Sequence, residues 1–140
     1  MPAVLSSRKE IEVRFSEVDS LRMVWHGHYL RYFEDGREDL GKQFGLGYLD
    51  VYEKGFVTPL VKSELEYKRP LRYGEKAIVE TTFINDPAAK MIFGYTIYHA
   101  VTNEVICTGR TIQVFLNEAG ELQLVTPVFF AEWKKKMGLQ

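Results

Sequence analysis

A single long stretch of 3.6-residue hydrophobic period, followed by period 2 until close to the C-terminus, leaves few folds open to this chain. Tyr29, Phe33, Gly36, Leu40 and Phe44 recur at spacings of four, three, four and four, which is one face of a helix. Arg31, Glu34, Asp35, Arg37, Glu38 and Lys42 cover much of the rest of that helix, and Gly45 and Gly47 are good terminators. Gly36 costs helix propensity inside it, which implies close approach to a sheet or to another subunit. Before the helix, residues 8–16 alternate Ile11, Val13 and Phe15 against Glu10, Glu12 and Arg14, the pattern of a first strand.

After the helix the alternation is sustained. Val61, Ser63, Leu65 and Tyr67 alternate with Lys62, Glu64, Glu66 and Lys68 until Arg69-Pro70 ends the run. Ala77, Val79, Thr81 and Phe83 continue it, and Asn85-Asp86-Pro87 turns the chain. Residues 90–100 form another strand and Thr102-Asn103 another turn. Residues 104–116 form the longest strand, with Gly109 expected at a bulge. Asn117-Glu118-Ala119-Gly120 leads to a short strand near Leu122 and Leu124. Thr126 then caps a closing helix with Pro127 in its first position and Phe129, Phe130, Trp133 and Met137 on its apolar side.

Short turns make neighbouring strands antiparallel. One helix cannot cover both faces of a strongly curved five-stranded sheet. The expected architecture is α+β, an antiparallel sheet of about five strands wrapped around a long central helix. The remaining face or edge is expected to pair with a second subunit, as a homodimer or homotetramer.

The 140 residues suit one domain, 1–140, with no repeat or linker. The net charge of −1 and the lack of a basic run speak against nucleic acid, which needs clustered cations. No apolar run is long enough to span a bilayer, and the start of the chain lacks a signal pattern. The single Cys107, mid-strand, reads as core and fits a reducing, cytoplasmic setting. Nine Phe, eight Tyr and two Trp suit a β-rich core or a subunit interface.

The chemistry-bearing stretch joins the first strand to the helix. Asp19 lies seven positions before His26-Gly27-His28, which opens the helical pattern. A loop carboxylate would therefore face a helix N-terminus, where backbone N–H groups lack partners and carry partial positive charge. A base or nucleophile beside a ready-made oxyanion site suits acyl chemistry. Asp19 is too far upstream to cap the helix directly. Glu17 reads as a structural ion pair with Arg14 or Arg22, and His28 as a polar residue of the first turn. A metal site from Asp19, His26 and His28 rests on one H-x-H and is not expected. No Gly-x-Ser-x-Gly elbow, phosphate loop or dinucleotide fingerprint is present.

Phe15, Glu17, Asp19, Val24-Trp25-His26, Gly27, His28 and Tyr29, together with the helix text Tyr29 to Glu38 and the corner Tyr67 to Glu75, resemble the hotdog-fold acyl-CoA thioesterases. The resemblance is to the 4-hydroxybenzoyl-CoA thioesterase-like group and spans about residues 8–137. It implies hydrolysis of acyl-CoA to free acid and CoA at a subunit interface, with no cofactor beyond the CoA of the substrate. It implies Asp19 as general base or nucleophile. The N–H of His26 or Gly27 would polarise the carbonyl, and the His26 side chain would orient Asp19 or water. Gly27 would let the backbone approach a ligand closely. Among the basic residues, Arg69 and Arg72 near Pro70 are the foremost candidates for CoA phosphates. The chain departs from the family where Leu21-Arg22-Met23 replaces a glycine-bearing loop and where His28 replaces the commoner Asn or Ser. These departures bear on acyl specificity. The rival readings are a hotdog hydratase or dehydratase, a non-catalytic acyl-thioester binding protein, and an acyl carrier protein thioester as substrate.

Overall fold

The computed structural model describes residues 5–139. The reading of the chain's start falls partly outside them, at residues 1–4. Strand β1 (Ser6–Glu12) leads through a loop to helix α1 (Tyr29–Phe44) and a short helix α2 (Tyr48–Glu53). Strands β2 (Phe56–Val57), β3 (Leu60–Tyr67), β4 (Lys76–Ile84), β5 (Lys90–His99), β6 (Val105–Val114) and β7 (Leu116–Asn117) follow, and helix α3 (Val128–Lys136) closes the chain. Five strands form one antiparallel sheet in the order β1-β4-β5-β6-β3, and β2 pairs with β7. The expected sheet wrapped on a long helix is the observed one.

Helix α1 lies against β1, β4 and β5. Tyr29, Phe33, Gly36 and Leu40 are buried as the 3.6 period requires. Phe33 stacks flat on Tyr95 of β5, with centroids 4.3 Å apart. Gly36 is there for the sheet: a Cβ would come within 2.7 Å of Val79 Cγ1 on β4. Gly45 ends α1 at φ 75°, a left-handed C-cap suited to glycine. Gly47 does not terminate α1. It begins α2, where Asp50 accepts a hydrogen bond from its N–H.

Nine of the nineteen aromatic residues are buried in the core, and Phe44, Phe56 and Phe129 pack against it. Phe83, Phe93, Phe115, Phe130 and Trp133 pack together under α3, and the Trp133 indole N–H donates to the Phe44 carbonyl at 2.7 Å, tying α3 to the end of α1. Each such side chain, removed from water, contributes roughly 2–3 kcal/mol.

Several local expectations differ from the structure. Strand β1 ends at Glu12, and Phe15 starts a single 3₁₀ turn, Phe15–Glu17, with its ring 78% exposed. Gly109 is paired in register with Leu65 and Tyr95 and marks no bulge. A side chain there would meet Phe33 and the Glu64 carbonyl, so β6 needs glycine where it passes α1. The irregularities lie at Leu60/Lys62 and Ile97/Tyr98 instead. Leu122 makes an isolated bridge to Leu116, and Leu124 is exposed. Pro127, one residue beyond Thr126, occupies the cap of α3. No helix among the described residues is long and apolar enough to cross a membrane.

Candidate active site

The loop between β1 and α1 is built from its own short-range hydrogen bonds and then clamped from three sides. Glu17 Oε1 accepts the Arg14 N–H at 2.7 Å and the Tyr32 hydroxyl at 2.8 Å. This buried carboxylate anchors the loop to α1 through a backbone amide and a phenol, and among the described residues it forms an ion pair with the guanidinium of neither Arg14 nor Arg22. Burial, together with Glu17, pushes the Tyr32 phenol well above its ordinary pKa. The loop then closes on itself. Val18 bridges Val24, the Asp19 N–H donates to the Met23 carbonyl at 2.9 Å, and the Arg22 N–H donates to the Asp19 carbonyl at 2.9 Å. Arg22 takes φ 64°, the conformation a glycine would adopt most readily.

Asp19 is half-buried at the head of this turn. Its Oδ1 accepts the Leu21 N–H at 2.8 Å, while Oδ2 makes no hydrogen bond among the described residues. One carboxylate oxygen thus shapes the turn, and the other is left to a ligand or solvent.

The loop is held to the corner that follows β3. The Val24 N–H donates to the Leu71 carbonyl at 2.8 Å, and Met23 forms a bridge with Arg72. The Trp25 N–H donates back to the Glu17 carbonyl at 2.9 Å. The chain next makes a 3₁₀ turn, His26–His28, whose His28 N–H returns to the Trp25 carbonyl at 2.9 Å. The N–H groups of His26 and Gly27 have no acceptor among the described residues, as the opening turn of a helix requires. The space a Cβ would take at Gly27 is filled by the Trp25 indole. Glycine at this position admits that ring, rather than leaving open space on its side-chain face.

Beside this turn lies a cleft of about 290 Å³, lined by His26 and Tyr29 on one side and Tyr67, Lys68, Arg69 and Pro70 on the other. The Tyr67 hydroxyl donates to the His26 carbonyl at 3.1 Å, bracing the turn from the end of β3. Burial pushes the Tyr29 phenol up to about 12, so it remains a neutral hydroxyl on the cleft wall at physiological pH. Arg69 is exposed, with Nε 3.0 Å from Glu104. Arg72 is exposed, and its backbone N–H and carbonyl both go to Glu75. His26 and Arg69 therefore share one cleft. Asp19, Gly27 and Arg72 sit in the adjoining loop and turns, outside its wall.

Three contributors lie in stretches that carry the family resemblance, but nothing local to them shows their roles in the site. Tyr32 holds Glu17, Tyr67 holds the His26 carbonyl, and Glu75 joins His99 to the Arg72 turn. Their partners are 15, 41 and 24 positions away in the chain, so only the fold brings them together.

The profile of the family described as the thioesterase-like superfamily matches residues 13–133. The Bacillus subtilis protein named "Putative acyl-CoA thioesterase YneP" is 43% identical over 93 residues, covering 66% of this chain and 67% of that one. The crystal structure of a DHNA-CoA thioesterase from Staphylococcus aureus superposes with a TM-score of 0.84 at 27% identity, covering 94% of this chain and 89% of that one. A 4-hydroxybenzoyl-CoA thioesterase shares the fold, with a TM-score of 0.79 at 18% identity over 92% of this chain and 98% of that one. With a five-stranded sheet on one long helix and a family match from Val13 to Trp133, the chain belongs to the thioesterase-like superfamily of hotdog proteins.

Proposed function

We propose that this protein is an acyl-CoA thioesterase, hydrolysing an acyl-CoA to the free carboxylic acid and CoA. The observation that carries the reading is that one clamped loop and turn holds a carboxylate oxygen, Asp19 Oδ2, and two backbone N–H groups, at His26 and Gly27, that make no hydrogen bond among the described residues. Relatives named as acyl-CoA and DHNA-CoA thioesterases support the substrate class.

In this reading Asp19 takes a proton from water as the water oxygen adds to the thioester carbonyl, or Asp19 attacks that carbon itself. The N–H of His26 or Gly27 stabilises the resulting oxyanion. The C–S bond then breaks, giving the free acid directly in the first route and an Asp19–acyl anhydride in the second, which water hydrolyses to the acid and the free carboxylate. The thiolate leaves without strong acid assistance, because an ordinary thiol has a pKa of about 8.5. The His26 side chain, exposed at the cleft, orients water or Asp19. Arg69 and Arg72 are the side chains assigned to CoA phosphates, and Arg69 would exchange Glu104 for phosphate. That exchange is cheap, since an exposed ion pair is worth about 0–1 kcal/mol.

The same reading makes the protein a cytoplasmic homodimer or homotetramer. Strand β3 is one of the two edges of the sheet, opposite β1, and is exposed along most of its length, with Val61 58% and Tyr67 52% accessible. Such an edge is a template for a second strand.

The test is thiol release from short, medium, long and aryl acyl-CoAs, with wild type and Asp19→Asn side by side. Asparagine keeps an Oδ1 for the Leu21 N–H, so the turn survives while the base is lost. A fall in kcat of about 100-fold or more is expected. Retained turnover would move the role to Glu17 or His26. Acyl-CoA binding without turnover in the wild type would leave a binding protein or a carrier-protein thioesterase.

A further inference from the structure

The link between Glu75 and His99 is a well-built polar cluster with no role yet in the proposed reaction. Glu75 and His99 lie at the far side of the corner that clamps the loop. The His99 ring is largely buried and all its polar atoms are committed. Nδ1 accepts the N–H groups of Val101 and Thr102 at 3.1 and 3.3 Å, and Nε2 lies 2.9 Å from Glu75 Oε2. Two donors at Nδ1 place the ring proton on Nε2, which donates to Glu75. The other carboxylate oxygen, Oε1, accepts the Arg72 N–H at 2.6 Å. The Glu75 backbone closes the same turn, its N–H donating to the Arg72 carbonyl at 3.1 Å and its carbonyl accepting the Val13 N–H at 3.1 Å.

The turn so fixed is the one that holds the loop. Arg72 bridges Met23, Leu71 accepts the Val24 N–H, and Met23 accepts the Asp19 N–H. Hydrogen bonds joined through adjoining residues therefore lead from the end of β5, by the Glu75 carboxylate to Arg72, from its neighbour Leu71 to Val24, and from Met23 to the backbone of Asp19. The β4–β5 ladder, paired from Ala77–His99 to Ile84–Ile92, does not depend on the His99 side chain. Loss of the Glu75–His99 bond would loosen the turn and the loop and leave the sheet standing.

We propose that Glu75 and His99 are positioning residues for Asp19, setting the loop through the Arg72 turn without touching substrate. The proposal rests on the reading of Asp19 as the reacting carboxylate, and two substitutions at one site separate its parts. His99→Asn keeps an acceptor for the Val101 and Thr102 N–H groups and loses the donor to Glu75. His99→Gln does the reverse, keeping an N–H where Nε2 was.

The experiment measures backbone amide exchange of the loop together with kcat and KM. In His99→Asn, exchange at Asp19, Arg22 and Val24 is expected to rise about tenfold or more with β4 and β5 unchanged. Its kcat is expected to fall about tenfold at nearly constant KM, because a misplaced base weakens the reaction step more than binding. His99→Gln is expected to restore both towards wild type. Unchanged loop exchange in His99→Asn, or equal loosening by His99→Gln, overturns the proposal. So does a loosened loop with undiminished kcat. A loop that loosens in His99→Asn alone, in a protein with no turnover on any acyl-CoA, supports the assignment of Glu75 and His99 to the loop and overturns the acyl-CoA thioesterase reading instead.

Discussion

Arg22 holds a left-handed backbone at φ 64°, which costs a residue with a side chain roughly 1–2 kcal/mol over glycine. Part of that cost is offset because glycine loses more freedom on folding. Arg22→Gly is therefore expected to raise stability by about 0.5–1 kcal/mol, read as a higher urea midpoint. The loop's departure from glycine, visible in the sequence, is thus a backbone matter as much as one of charge beside the site. Cys107 is fully buried and its thiol is pushed up to about 12 by burial, so it is no nucleophile at neutral pH. Cys107→Ser is expected to leave turnover within about twofold; a large loss in a folded protein would contradict its place in the core. Burial raises the carboxyl pKa of Glu75, but the hydrogen bonds from His99 and the Arg72 N–H outweigh it and the net shift is downward. A carboxyl held low in the folded state adds stability that is full above its unfolded pKa and is lost as pH falls through the lower folded one. Glu75→Gln should accordingly flatten the acid limb of a melting-temperature profile; an unchanged limb would mean that other carboxylates set it.

Helix α1 shows what periodicity can and cannot carry. Its buried face follows from spacing alone, and so does the need for something small at Gly36. What met Gly36 did not follow, because Val79 lies on a strand 43 positions later. Gly36→Ala gains helix propensity but drives a Cβ into Val79, and a net loss of about 1–3 kcal/mol is expected by chemical denaturation. The six residues of α2 and the two 3₁₀ turns are too short to display a period, and only the turn at His26–His28, which runs on into α1, shows in the sequence as the opening of a helix. Phe15 continues the alternation of β1 on paper. In the structure Glu17 reaches back to the Arg14 N–H, turning the chain out of the strand before Phe15 can point inward. Tyr32, on the buried side of α1, anchors that turn. Tyr32→Phe removes one donor from the buried Glu17 carboxylate and is expected to cost about 1.5–3 kcal/mol, checked by urea unfolding.

For the molecule as a whole, the fold was legible because each strand announces itself by local alternation and each turn by its residues. The site was legible only in its local half. Asp19, His26 and Gly27 stand in one short stretch and could be grouped by eye, as could Arg69 and Arg72 beside Pro70. The braces that give the stretch its shape come from β3, the Arg72 turn and the end of β5, and no local pattern ties Tyr67, Glu75 or His99 to it. The open edge at β3 belongs to this scale too. Lys62–Glu64 and Lys68–Glu66 ion pairs line one of its faces, leaving Val61 and Tyr67 accessible on the other.

The pairing of β1 with β4, from Ser6–Thr82 to Glu12–Lys76, encloses the whole loop and both of the first two helices. Contacts so distant in the chain close slowly, because their entropy is lost before they are rewarded. The Asp19 loop is made early on the ribosome, yet its clamps at Leu71, Arg72 and Glu75 and the brace at His99 emerge much later. A nascent chain that stops short of Leu71 would carry the motif without its clamps, and one that stops before His99 would carry it without the brace on Glu75, so the geometry of this site is completed well after its sequence is made.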